Sequence, residues 1–495
     1  MSEVINLSLS QRANHLLAHL YNNQEAHLPY SKTATVDYDN SVFLSTSKNP
    51  NGTVNYSPRS LNYDLTRGYG SLGKYEYHES KANILGQYEV IQTGEKMDKN
   101  EYQKALDKGM NKSNTLNVNN TKYWTDYNKL IYSPKSLNQL NNWEYQPHDF
   151  GTNRNFPNLK FDTFNKGKEE YHQYSEDSLE NFRNTLEQCD LIQGVNLISE
   201  LDSAWGGFTN ELLVDLKDEF FNNGINSKYN IWVHGLMNHN LNPKLNQLYS
   251  RINSIIELSF NSTLFFPMNL NSSSGCLGSG YDETSEWHNS SIHAIFLNSI
   301  WGLNNQIKNP VKMSVIEDEL LRGFDKRNIV NEIKIHKNKQ ASNDFGMVDI
   351  DRASLYNLVD NIKIKDKPDS IDLSLSDSKN SKYFAKSYII PNDQSLSESL
   401  NKKENFPINI YKNNRINDIL NNDTFPNILE DKSVYSEFIS SNTLKNDLKF
   451  YREVIKRSRE NEVIEDKFEL IEKISELIEE YTIGYDESDE EYDSN

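Results

Sequence analysis

The chain has 495 residues and a formal net charge of -19, with 71 Asp and Glu against 52 Lys and Arg. That length accommodates two or three domains with full-sized cores. The negative balance, with no Lys/Arg-rich run, disfavours nucleic-acid and anionic-membrane binding. Two cysteines, Cys189 and Cys276, exclude a disulfide framework and a four-cysteine zinc site and suit a reducing compartment.

The opening MSEVINLSLSQRANHLLAHL reads as neither signal peptide nor transit peptide, because an acidic residue comes at once and the apolar residues alternate. No apolar run approaches the roughly 18 residues of a membrane span. Ile5, Leu7 and Leu9 on one face, with Asn6, Ser8 and Ser10 opposite, predict a strand over residues 3–9. Leu16, Leu17 and Leu20 follow at helical spacing, so residues 10–15 form a strand-to-helix turn. Residues 60–65 read as a further strand leading into a glycine-containing stretch. Residues 74–160, rich in Tyr and Asn, read as an insertion or a set of loops packed on the main sheet. Its aromatic piece, Tyr123 to Tyr127, is expected to pack in the core.

A helix is predicted over residues 175–189, capped by Ser175, with Leu179, Phe182 and Leu186 on one face. Residues 191–198 read as a buried strand, 210–222 as a helix closed by Gly224, and 229–234 as the next strand. This alternation implies right-handed parallel crossovers and an α/β fold. Before the helix, Gly206 and Gly207 stand where α/β proteins bind phosphate, but Asp202, Trp205 and Phe208 crowd them. A long helix is predicted over residues 283–301. From about residue 337 to 405 the chain turns polar and reads as long loops between short elements. Residues 444–478 read as one or two amphipathic helices, and the tail YDESDEEYDSN as solvated and disordered.

SQRANH at the first turn, PRSLNYDL in the sheet and CDLIQG…LDSAWGGFT at the phosphate-loop corner fall in an order that resembles the tubulin/FtsZ superfamily. With the opening EVINLSLSQRANHL and the block NTKYWTDYNKLIYSPKSL, the chain is identified as a member of the Misato family of tubulin-related proteins. The resemblance implies a Rossmann-like N-terminal domain with a parallel sheet (residues 1–282) and a core helix (283–303). A second α/β domain with long polar loops (304–435), C-terminal helices (436–483) and an acidic tail (484–495) complete it. It further implies a non-enzymatic role in partitioning of mitochondria, mitochondrial DNA inheritance, and mitochondrial distribution and morphology. The expected location is peripheral on mitochondria and in the cytoplasm, without a presequence. Tubulin, other cytoskeletal components or chaperonin are the expected partners. The alternatives are a polymerising GTPase of the tubulin/FtsZ type and a cytosolic folding or cytoskeletal adaptor.

Carried onto this sequence, Gln11 and Asn14 match polar residues of the first nucleotide loop, whose small residues are replaced by Ser10, Arg12 and Ala13. Asp64 matches the acidic residue of the second loop, and Thr66 stands in place of the carboxylate that helps hold magnesium. Asn165-Lys166-Gly167 resembles the third loop. Residues 202–208 occupy the place of the tubulin GGGTGSG, with Gly206 alone in register. No acidic hydrolytic loop is matched after Trp301. The resemblance therefore implies a degenerate nucleotide pocket of Gln11, Arg12, Asn14, Asp64, Lys166, Gly167, Gly206 and Gly207, with no catalytic or metal residue. GTP is the candidate cofactor, weakly held at best.

Bare backbone N–H groups bind phosphate where no side chain intervenes, so Trp205 and Phe208 are expected to obstruct the loop. A carboxylate such as Asp202 about 5 Å from a phosphate charge would cost roughly 3 kcal/mol at an effective dielectric near 20. Arg12, Lys166 and Arg59 offset it if they face the pocket. Other chemistry is thinner. His234 and His239, like His288 and His293, are five apart where zinc helices prefer four. The turn GCLGSG lacks a strand-to-helix context, Cys189 reads as a structural thiol, and no serine sits in a nucleophile elbow.

Overall fold

A computed structural model describes residues 2–29, 36–48, 54–77, 97–110, 115–147, 149–221, 229–237, 243–270, 277–278, 280–338, 370–376, 382–404, 406–429, 432–458 and 467–483. Gly224, His239, Cys276 and the acidic tail lie outside them, as do parts of residues 74–160 and 337–405.

Strand β1 (Glu3–Leu9) is central in the larger sheet and is flanked by β4 (Ser60–Thr66) and β7 (Ile192–Glu200), both parallel to it. A short antiparallel pair, β2 (Leu44–Lys48) and β3 (Val54–Pro58), precedes β4. Beyond β4 lie β5 (Leu137–Glu144) and the short β6 (Thr152–Asn153); beyond β7 lie β8 (Asn230–Met237) and β9 (Leu264–Asn269). All pairings are parallel except β5 with β6. Residues 137–144, read as part of an insertion, are thus a strand of the sheet itself.

Helices cover both faces. On one lie α1 (Gln11–Ala26) and the later core helix; on the other lie α3 (Phe164–Leu186), α4 (Ala204–Leu216) and α5 (Leu245–Asn261). The short α2 (Glu101–Leu106) precedes β5. Because both faces are covered, the alternation in β1 does not divide core from solvent: Asn6 and Ser8 are as buried as Leu7. Asn6 is satisfied there, donating to Tyr21 Oη at 3.0 Å and accepting from Asn196 Nδ2 at 3.1 Å.

Helix α3 begins eleven residues before the predicted cap at Ser175, and α4 begins at Ala204, six residues before the predicted start. Neither α5 nor β9 is anticipated from the sequence. Core helix α6 (Glu286–Asn305) is buried on every side from Ser290 to Asn305. A helix apolar or buried all round must lie between two layers. Its far side meets a second sheet, ordered β11-β10-β14-β12-β13: β10 (Glu332–Lys337), β11 (Ser370–Asp372), β12 (Tyr383–Ile390), β13 (Asn409–Lys412) and β14 (Val434–Ser441). Phe296 on α6 meets Phe438 on β14 with ring centroids 6.0 Å apart. Helix α7 (Met313–Leu321) joins the two sheets, and α8 (Gln394–Lys403) packs Leu396 and Leu400 against the outer sheet face. Amphipathic helices α9 (Leu444–Arg457) and α10 (Lys467–Glu480) return to the first domain and pack in the cluster that holds α4 and α5. No helix among the described residues is long and apolar enough to cross a membrane.

Candidate functional site

In an open parallel sheet, ligands bind outside the C-terminal strand ends where the strand order reverses. Here that point lies at β1, between β4 and β7. A cavity of about 380 Å³ opens there, lined by Gln11 and Arg12 after β1, Glu200 at the end of β7, Met237 at the end of β8, and Glu283 and Glu286 near the start of α6. Ser10 makes the turn into α1 in a single residue, at φ 142°, a conformation L side chains rarely adopt. Its Oγ accepts from the Ala13 N–H at 3.1 Å and caps the helix.

Arg12 is held by Glu286, Nε and Nη2 each donating to a carboxylate oxygen at 2.9 Å. Burial works against the charge on Arg12, but Glu286 and Glu200 more than restore it. Burial likewise opposes the charge on Glu286, and the guanidinium reverses this, so its carboxyl lies below the usual range. Beneath this pair is a closed polar knot. Asn14 Nδ2 donates to Tyr63 O and Asp64 Oδ2, both at 3.0 Å, and its Oδ1 accepts from Asn62. The Gln11 amide nitrogen, turned toward its acceptors, lies 2.5 Å from Asp64 Oδ2 and 2.9 Å from Gly68 O. Asp64 is 0% exposed, and burial pushes its carboxyl up to about 7 despite the Asn14 and Leu65 donors. Thr66 donates to Leu140 O at 3.1 Å and so serves the sheet.

Of the eight residues expected to form one pocket, Gln11 and Arg12 line the cavity, and Asn14 and Asp64 lie in the knot below. The other four are elsewhere. Lys166, in the first turn of α3, donates to Asp162 at 2.7 Å and to Lys160 O at 2.8 Å. Gly167, Gly206 and Gly207 lie within helices, not in a phosphate loop. A Cβ at Gly167 would meet Ala204 O at 1.7 Å, and one at Gly207 would meet Phe164 O at 1.8 Å. These glycines let α3 and α4 touch backbone to backbone. Gly206 instead faces a side chain of α5, where a Cβ would lie 1.9 Å from Ser254 Oγ.

The supposed obstructions are also differently employed. Trp205 and Phe208 are 4% and 0% exposed and pack in the helix-covered core. Trp205 meets Phe161 at 5.3 Å, and Phe208 meets Tyr171 at 5.2 Å between ring centroids. Asp202 is bound by Arg251 of α5, from Nε to Oδ1 at 2.6 Å and from Nη2 to Oδ2 at 3.1 Å. Arg59 does not face the cavity; it donates to Gln188 O and to Cys189 Sγ.

What sequence reasoning missed is the acidity of the crevice. Among the described residues lining it, Asp149, Glu200, Glu283 and Glu286 are carboxylates and Arg12 is the lone Lys or Arg. The pairing of Arg12 with Glu286 joins residues 274 apart, beyond the reach of any local motif. A polyphosphate placed here would meet these four carboxylates and a guanidinium already bound to Glu286, the reverse of a phosphate cradle.

The imidazoles near and behind the site are neutral. Burial depresses His15 and His293 to about 4 and His19 and His234 to about 3. A depressed folded pKa gives stability that is present above the unfolded value and lost as pH falls through the folded one. The raised carboxyls of Asp64 and Asp126, about 7 and about 6, act oppositely, giving stability that is lost as pH rises through them. The four histidines outweigh the two carboxyls. Melting temperature is therefore expected to fall as pH drops from about 6.5 to about 4; a flat or rising profile over that window would contradict the buried neutral histidines.

A parallel α/β sheet with its crevice at the central strand, a helix buried on all sides and a second sheet beyond it define a tubulin-like protein. Residues 2–108 match the Misato Segment II tubulin-like domain, and residues 113–305 match the Tubulin domain. Three relatives named Protein DML1 match over their full lengths and the whole of this chain. They are 91% identical over 495 residues in Debaryomyces hansenii, 42% over 534 in Scheffersomyces stipitis and 37% over 579 in Candida albicans. The chain belongs to the Misato family of tubulin-related proteins.

Proposed function

We propose that this tubulin-like chain acts without enzymatic activity in partitioning mitochondria and in mitochondrial DNA inheritance, distribution and morphology. It works from the organelle's periphery and the cytoplasm, through protein partners. The observation that carries the non-enzymatic part is the crevice. Its one guanidinium is engaged by Glu286, its other charged walls are acidic, and the glycines that would cradle phosphate are spent on helix packing. Phosphoryl transfer depends almost wholly on positioning and on positive charge at the phosphates. The organelle assignment rests on family kinship.

Repressing the chain in its host cell is expected to cause loss of mitochondrial DNA foci and clumped, unevenly inherited mitochondria. A Lys166→Ala chain, altered at the one lysine of the presumed third loop, is expected to restore both fully. Fluorescence counting of DNA foci per bud or daughter cell is the measurement. Normal inheritance in depleted cells would remove the mitochondrial role, and failure of a stably expressed Lys166→Ala chain would point back to a working nucleotide loop.

A further inference from the structure

The hairpin of β2 and β3 stands apart from both larger sheets, and among the described residues β2 pairs with β3 alone. The register fixes which of its backbone groups are left over. The Arg59 N–H donates to Phe43 O at 2.9 Å, so 43 and 59 are a hydrogen-bonded pair. Such pairs alternate along an antiparallel ladder. Ser45 and Ser57 form the next one, and Leu44 and Thr46 turn their N–H and C=O groups away from β3. Pro58, which has no N–H, stands opposite Leu44, where the ladder requires none. The Leu44 C=O accepts from Arg59 Nη2 at 3.4 Å. The Thr46 N–H and C=O are bonded to nothing among the described residues.

A groove of about 850 Å³ runs along this edge, and four consecutive residues, Leu44 to Ser47, line it. Successive side chains of a strand point to opposite faces, so a groove that touches all four follows the edge and not one face. Thr46 and Ser47 are exposed. The opposite wall holds Ser133, Gln188 and Ile131, an apolar side chain 46% exposed. Edge strands guarded against pairing carry charges, Pro or a bulge; residues 44–47, LSTS, carry none of these.

Arg59 supplies an independent observation. It lines the same groove and is 5% exposed. Its Nη1 and Nη2 donate to neighbouring chain atoms, yet its Nε has no hydrogen-bond partner among the described residues. A buried donor without an acceptor costs stability. A peptide carbonyl answers it without bringing a further charge to a wall that already holds Glu3 and Asp190.

We propose that this edge docks an extended segment of a protein partner, which adds to β2 as a third strand. The segment's backbone pairs with Thr46, an apolar side chain lies against Ile131, and uncharged polar side chains meet the hydroxyls of the groove. The inference concerns the hairpin alone and stands apart from the organelle assignment.

Thr46→Pro isolates the outward N–H, because Pro is tolerated on a strand edge where no ladder bond is lost; Thr46→Val keeps that N–H. Both variants of the full chain are expected to melt as wild type does. The probes are acetylated hexapeptide amides with Val at every second position and Ser, Thr or Gln at the others, followed by fluorescence polarisation. Members of this panel should bind wild type and Thr46→Val saturably and bind Thr46→Pro about tenfold or more weakly, the effect of one backbone hydrogen bond lost with its acceptor left unpaired. Methylating the peptide amides that face Thr46 should weaken binding to wild type in the same way, and this arm decides alone if Thr46→Pro lowers the melting temperature. No binding by any member up to millimolar concentration, or binding indifferent to both changes, would overturn the proposal. Dimerisation of the chain by itself, abolished in Thr46→Pro, would overturn it in favour of a second copy on the edge.

Discussion

Gly207→Ala is expected to destabilise the N-terminal domain by about 3 kcal/mol or more, the upper range for inserting a methyl into a packed interior. The added Cβ would lie 1.8 Å from Phe164 O and 2.8 Å from Phe164 C. Both are backbone atoms that no rotamer change can remove, so α3 and α4 must separate. Gly167→Ala meets Ala204 O at 1.7 Å from the opposite side and should cost a similar amount. Separation would also loosen Phe208, which is fully buried against Tyr63 and Tyr171. Gly206→Ala should be milder, because its nearest obstacle is the Ser254 hydroxyl, a movable group. Denaturant midpoints of the three variants measure this order. A wild-type midpoint for Gly207→Ala would mean that the helices do not touch there and that the glycine is free to serve another purpose.

Removing Arg251 is the second large effect. Asp202 is 1% exposed and its carboxylate is gripped at both oxygens by that guanidinium. Taking away one member of a buried ion pair typically costs about 3–5 kcal/mol, because the other charge stays buried. Arg251→Met is expected to lose that much, whereas the double variant with Asp202→Leu should recover most of it. Urea unfolding followed by far-UV circular dichroism gives the comparison. Equal stability of Arg251→Met and wild type would show that Asp202 does not depend on this partner. The pair matters for the crevice because Asp202 sits at the strand-to-helix corner, where its charge already has a cation.

Much of the α/β core is legible from local pattern. Strands β1, β4, β7 and β8 and helices α1 and α6 follow from periodicity and from the order of elements. Strand β5 is not legible, because LNQLNNWE carries no β-branched residue and no alternation; its pairing with β4 places it. The start of α3 is hidden for a related reason. Thr163 makes no side-chain cap bond, while Ser175 offers a false one, and Gly167 looks like a breaker. Glycine within a helix disfavours it locally, yet Gly167 is required there by contact with α4, which lies 37 or more residues ahead in sequence. The site shows the same division. Gln11, Asn14 and Asp64 converge as their shared turns suggest, whereas the carboxylates and His293 come from three separate stretches of chain. Trp205 and Phe208 were legible as bulky residues in a glycine corner, but only the packing tells which way they turn.

The central claim is that the tubulin-type nucleotide corner survives here as a packing junction beside an acidic cavity. Titrating the purified full chain with fluorescent GTP, with and without magnesium, while following phosphate release, tests it most directly. No saturable binding up to millimolar nucleotide and no release above buffer is the predicted result. Micromolar binding with magnesium-dependent turnover would contradict it.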